Sequence, residues 1–158
     1  ESQLVDKVIE VFEQKKIKYK AHEYPHTDAP VDGLTVAALT GQDPAMVFKT
    51  LVLRGVSKNI YVFVIPVADE LDLKKAAKAA GEKSVAMIHV SEITSVTGYV
   101  RGGCSPLGMK KQYKTFFHKS CLEHESMIVS AGKIGYQIEL SPEDLIQLSR
   151  AKTFDLIV

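Results

Sequence analysis

Val47-Phe48-Lys49-Thr50-Leu51-Val52-Leu53 runs through Gly55-Val56-Ser57-Lys58-Asn59 into Ile60-Tyr61-Val62-Phe63-Val64-Ile65. Two β-branched and aromatic runs around a short glycine-containing loop predict a β-hairpin. Strand alternation puts Lys49 on the side of Leu51 and Leu53, which should be an apolar face. A lysine there either snorkels out at the strand end or sits where its charge is used. The pattern alone leaves both readings open.

Toward the N-terminus, Leu4, Val5, Val8, Ile9 and Phe12 recur at helical spacing and predict an amphipathic first helix. Ile17, Tyr19 and Ala21 alternate with Lys18, Lys20 and His22, the pattern of a half-exposed strand. A short helix over 34–40 should stop at Gly41, and Asp43-Pro44 starts another turn. Beyond the hairpin, the spacing predicts a helix over 72–80 ending at Gly81, a strand over 85–90 and a short helix over 91–97. Three strand-like runs follow at 113–117, 127–131 and 136–140. Ser141-Pro142-Glu143-Asp144 caps a helix to about Arg150, and 154–158 can form a last strand. Strands outnumber helices and do not alternate with them regularly. The expected class is therefore α+β, with the strands curled into a mixed β-barrel or a strongly twisted sheet and flanked by helices.

The 158 residues are the size of one ordinary domain, so 1–158 is expected to be a single unit. Hydrophobic residues at 46% and charged residues at 25% fit a soluble globular protein. No apolar run approaches the ~20 residues of a membrane span, and no signal peptide precedes the first helix. Cys104 and Cys121 make neither a disulfide framework nor a metal spacing, which points to a reducing cytoplasm. A net charge of +1 means that any RNA contact needs a local basic patch, not a global field.

Arg101-Gly102-Gly103-Cys104-Ser105-Pro106-Leu107-Gly108-Met109-Lys110-Lys111 is the densest cluster of backbone signals. Glycine lets a main chain take positive φ and bring N–H groups close to a ligand. The loop resembles two motifs and fits neither. A P-loop requires Lys and then Ser or Thr after its last glycine, where Met109 and Lys110 stand. A Gly-x-Ser-x-Gly elbow requires its second glycine one residue before Gly108. Cys104 reads as an inert buried thiol before it reads as a nucleophile. His22-Glu23-Tyr24-Pro25-His26 matches His-Glu-x-x-His in letters, but Pro25 would break the helix that zinc ligation needs. His89, His118 and His124 have no partner at diagnostic spacing, and no metal or cofactor is expected. Ser130-Ala131-Gly132-Lys133-Ile134-Gly135 reads as a plain turn or as a second backbone wall opposite the first loop.

Taken together, five segments resemble the YbaK/EbsC family of aminoacyl-tRNA deacylases, similar to the editing insertion domain of bacterial prolyl-tRNA synthetases. They are Val47-Phe48-Lys49-Thr50-Leu51, Leu71-Asp72-Leu73-Lys74-Lys75, Thr97-Gly98-Tyr99-Val100-Arg101-Gly102-Gly103, Ser105-Pro106-Leu107-Gly108, and Ser130-Ala131-Gly132-Lys133 with Gly135. The resemblance implies a free-standing trans-editing enzyme that hydrolyses mischarged Cys-tRNA(Pro). It assigns the family's lysine to Lys49 and its neighbour to Thr50. Substrate-facing roles fall on Gly102 and Ser130, with a pocket tyrosine at Tyr24. Backbone N–H groups around Gly102 and Gly103 are then candidates for holding a tetrahedral oxyanion. In this family the substrate's own thiol is thought to attack its ester, which removes the need for a protein nucleophile and leaves positioning as the main source of acceleration.

The chain departs from the family at three places. Asp32 precedes Gly33 where relatives often carry an aromatic, Gln137 takes a substrate-binding position that is Asp in some members, and Ile134 replaces a frequent arginine. The implied partners are the aminoacylated 3′ end of tRNA and a prolyl-tRNA synthetase, with no DNA and no membrane. Two alternatives stay open: a deacylase for another small amino acid such as alanine, and a non-catalytic module that binds tRNA or a synthetase. Lys110, Lys111, Lys114 and Lys119 would supply the RNA patch of such a module.

Overall fold

The computed structural model describes residues 2–25 and 32–158, with side chains from residue 8 onward. The expectation on His26 and those on the Leu4 and Val5 side chains lie outside what is described. Helix α1 (Ser2–Gln14) buries Val8 and Phe12. The chain then turns through Lys16, in the left-handed region at φ 56°, into β1 (Tyr19–Glu23). Helix α2 (Gly33–Thr40) starts because the Asp32 carboxylate accepts the Thr35 N–H at 3.0 Å and its hydroxyl at 2.7 Å. It stops at Gly41, whose φ of 69° closes the helix.

Strands β2 (Phe48–Gly55) and β3 (Ile60–Pro66) form the expected hairpin, with Lys49 opposite Ile65. The Glu82 carboxylate ties the hairpin loop down by accepting from Ser57 and from the Tyr61 hydroxyl. Asp72 caps α3 (Leu73–Ala80), and β4 (Val85–Met87) pairs with the far end of β2. Then follow α4 (Ile93–Thr97), β5 (Lys114–His118), β6 (Met127–Ser130), β7 (Tyr136–Leu140), α5 (Pro142–Ser149) and β8 (Lys152–Phe154).

The strands make a five-stranded sheet, β4-β2-β3-β5-β8, and a three-stranded one, β1-β7-β6. Among the described residues they do not close into a barrel, which corrects that half of the fold expectation. A single parallel bridge, Val47 to Ile128, joins the sheets where a barrel would need a continuous ladder. Alternate residues of β3 serve two cores. Val62 and Val64 join Phe12, Phe117, Met127 and Leu145, while Tyr61, Phe63 and Ile65 join Leu53, Phe116, Leu156 and Ala76 of α3. A strand buried on both faces reads as an unbroken apolar run, as this one does.

Two predicted strands are displaced. The strand expected over 85–90 ends at Met87, because the His89 N–H donates to Glu92 and opens a tight turn. The strand expected over 154–158 forms earlier, at Lys152–Phe154. Leu156 then leaves the sheet, donating its N–H to His118 Nδ1 at 3.1 Å while its carbonyl accepts from Asp72. Into β1 the expected alternation holds at Ile17 and Tyr19, which pack on the core, and at Lys18 and Lys20, which are exposed, and it departs only at the next two residues. Ala21 is exposed and His22 is half-buried, with Nε2 2.7 Å from Glu139 on β7.

Candidate active site

Near the bridge between the sheets, the start of β2, the end of β6 and the start of β7 enclose a cleft of about 140 Å³. Tyr24, Lys49, Thr50, Gly102, Ser130 and Gln137 all line it, from five separate stretches of chain. Lys49 is half-buried at the end of the face that carries Leu51 and Leu53, where the apolar core gives way to the cleft. It is the one charged side chain among the described lining residues. Gln137 is 6% exposed and stands directly across the β6–β7 ladder from Ser130. The Ser130 hydroxyl is buried and has no hydrogen-bond partner among the described residues. Tyr24 is held at its backbone by the Gly135 carbonyl, 2.9 Å from its N–H.

The glycine loop forms the opposite wall. Gly102 faces the cleft with φ 85°, a conformation that favours glycine. Gly103 lies behind it and does not line the cleft. Its N–H donates to the Val100 carbonyl at 3.0 Å, so that donor holds the turn and is not an oxyanion donor as expected. Gly103 is glycine for packing: a Cβ there would lie 3.0 Å from Lys133 Cα and 3.1 Å from Lys133 N. The second glycine segment is thus a backbone partner pressed against the first loop.

Between the two loops stands Tyr99, fully buried, with its hydroxyl donating to the Leu107 carbonyl. Burial holds this phenol protonated, well above its ordinary range. A Cβ at Gly108 would sit 2.6 Å from the Tyr99 hydroxyl oxygen, and one at Gly132 would sit 2.7 Å from its ring. Both loops therefore close on one aromatic post.

Sequence reasoning gave no pocket role to the rest of the lining, Gly33, Val36, Val47, Phe48, Val67 and Cys104. Apolar residues such as these give no signal that separates a pocket from a core. Gly33 does have a reason, since a Cβ there would meet Val67 Cγ1 at 2.3 Å, so glycine lets the start of α2 seat on the end of the hairpin. Asp32, whose identity was expected to bear on the pocket, is exposed and spent on capping α2. Burial pushes the Cys104 thiol up to about 12, and Cys121, with no exposed surface, up to about 11. Both shifts disfavour the thiolate, the form that attacks an ester. Among the described residues, no three of His, Cys, Asp and Glu gather as a metal site would require. Lys110, Lys111, Lys114 and Lys119 are exposed and line no part of the cleft.

Comparison with known proteins converges on one family. A family model described as "Aminoacyl-tRNA editing domain" matches residues 32–148. A relative from Enterococcus faecalis, named "Putative Cys-tRNA(Pro)/Cys-tRNA(Cys) deacylase EbsC", is 44% identical over 140 residues, which is 89% of this chain and 85% of that protein. A solved structure described as "a putative trans-editing enzyme for prolyl tRNA synthetase" superposes with a TM-score of 0.83 at 22% identity, covering 98% of this chain and 97% of that one. Another, of a protein called hypothetical, gives a TM-score of 0.85 at 22% identity, over 96% of this chain and 99% of that one. These two likenesses establish the fold. No described helix is long and apolar enough to cross a membrane.

Proposed function

The chain belongs to the aminoacyl-tRNA editing domain family, and from that premise we propose that it is a trans-acting deacylase that clears cysteine from mischarged tRNA(Pro). The observation that carries this reading is a cleft that gathers donors and, among its described lining residues, sets no imidazole or carboxylate beside a hydroxyl or thiol to activate it. Lys49, the Ser130 hydroxyl and the main chain at Gly102 surround it, and its one thiol is held protonated by burial. At about 140 Å³ it lies well below the roughly 300–1,000 Å³ of pockets for drug-sized ligands, and so suits a small aminoacyl group.

A site of that kind suits a substrate that carries its own nucleophile. The cysteinyl sulfur attacks the ester carbonyl carbon of the same residue and forms a carbon–sulfur bond. The carbon–oxygen bond to the terminal ribose breaks, and the released tRNA hydroxyl takes up the proton the thiol has lost. The cyclic thioester then opens with water to free cysteine. Lys49 steadies the negative charge that builds on the carbonyl oxygen, and the walls hold sulfur and carbonyl in contact. Prolyl-tRNA synthetase is the partner that would supply the mischarged tRNA, and the cytoplasm is the compartment where the two meet.

Single-turnover deacylation of Cys-, Ser-, Ala- and Pro-tRNA(Pro) tests this. Rapid loss of cysteine alone is the expected result. Serine released as fast as cysteine would overturn the substrate-thiol step, since serine differs by the replacement of sulfur with oxygen. No release of any of the four would overturn the enzyme reading and favour the binding module.

A further inference from the structure

Behind Gln137 lies a residue that the cleft itself does not show. Gln42 follows Gly41, and its N–H is fixed on the Ala37 carbonyl at 3.0 Å. Its side-chain Nε2 donates to Gln137 Oε1 at 3.0 Å, across 95 positions of sequence. The Gln42 Oε1 is buried and has no partner among the described residues. Turning both amides over would keep one hydrogen bond between them but would bury an N–H without an acceptor. An unsatisfied carbonyl is the more tolerable of the two. With that oxygen turned to Gln42, the edge of the Gln137 amide left for the cleft is its Nε2 group, beside the Ser130 hydroxyl, which has no partner among the described residues.

We propose that Gln42 is a positioning residue that locks the Gln137 amide with its N–H donors toward the substrate. Resting on the deacylase reading, this makes Gln137 and Ser130 a pair of donors for the electron-rich atoms of the aminoacyl ester, the carbonyl oxygen or the attacking sulfur. A neutral amide held in this sense favours negative charge developing in the cleft, where an aspartate at the same place would favour a cation. Gln42 touches no substrate in this scheme; it acts through the Gln137 amide.

The test is Gln42→Glu. The ionised carboxylate of that variant can only accept, so Gln137 must turn its Nε2 toward it and show the cleft a carbonyl. Single-turnover release of cysteine is then expected to slow on the order of 100-fold at neutral pH, the scale of losing one transition-state donor. Acidification through the carboxyl range, above the ordinary ~4.3 because the site is buried, gives the introduced carboxyl a donor again and with it the wild-type rate at that pH. In the same variant the Gln137 side-chain amide resonances should titrate with that carboxyl, while in wild type they should not. Gln42→Leu, which cannot lock either orientation, should lose roughly 10-fold with no such pH dependence. A Gln42→Glu or Gln42→Leu protein that tracks wild type across the pH range, or Gln137 resonances that ignore the carboxyl, would overturn the proposal. The resonance titration needs no tRNA, so it reads the lock even where deacylation of every substrate fails.

Discussion

The two walls of the cleft are made from opposite kinds of chain. One is the start of β2, a strand paired to β3 along its length, from which Lys49 and Thr50 project as side chains. The other is the loop around Gly102, where the protein offers main chain and is held in shape by Gly103, Gly108 and Gly132 closing on Tyr99 and on Lys133. The first wall contributes chemistry through what its residues carry. The second contributes form through what its residues lack. A mutation on the strand should therefore separate activity from stability, and a mutation in the loops should move both together.

Lys49→Ala is the sharpest break. It should lower single-turnover deacylation by at least about 100-fold, the range for removing a transition-state electrostatic partner. Lys49 is half-buried at a strand end, so the thermal midpoint should stay close to wild type. A Lys49→Ala protein with wild-type turnover would remove the strand wall from the chemistry altogether.

Gly132→Ala tests the other side. With φ at 100° and the Tyr99 ring in the way, the new methyl should cost about 3 kcal/mol from backbone strain and overpacking. That corresponds to roughly 6–12 °C in the thermal midpoint for a chain of this size. The rate should fall with it, because the Gly102 wall rests on the same post. Full activity with an unchanged midpoint would show the walls to be independent.

His118, which lines no part of the cleft, serves as a control. Burial holds its pKa below the ordinary 6.5, and Nδ1 is already occupied as acceptor for the Leu156 N–H. With the folded value depressed, its contribution to stability is fully present above 6.5 and is lost as pH falls through the folded value. Urea midpoints should therefore decline on acidification below 6.5, and a His118→Asn protein, although weaker overall, should show a flatter decline. An identical slope in both proteins would assign the acid sensitivity to another group. The smallest effect should come from Cys104→Ser, with deacylation within about threefold of wild type, because a thiol pushed up to about 12 supplies no thiolate. Loss of activity in folded Cys104→Ser protein would return the nucleophile to the cleft wall.

The same division explains what could be read from the sequence. The hairpin was legible because β-branched alternation and a glycine-containing turn are local signals, and the helix stops at Gly41 and Gly81 and the cap at Ser141 were legible for the same reason. Lys49 was visible as a charge at an apolar position, although alternation by itself did not say whether the charge was used. The glycines were visible, but their reasons were not. Gly103 answers to Lys133 and Gly132 to Tyr99, contacts that span some thirty residues. The Gln42–Gln137 pair spans 95 and left no trace in either neighbourhood. The shift of the last strand depended on His118 claiming the Leu156 N–H, which no local pattern announces.

A wall made of main chain has a consequence for how such a protein can diversify. The surface at Gly102 presents the same atoms whatever codon changes occur nearby, and almost any side chain added to its supports collides with Tyr99 or Lys133. That half of the cleft is in effect hereditary, passed on whole or lost whole. New substrate choices have to be written in the side chains of the remaining lining, where Val36, Val67 and Gln137 can change size or polarity one substitution at a time.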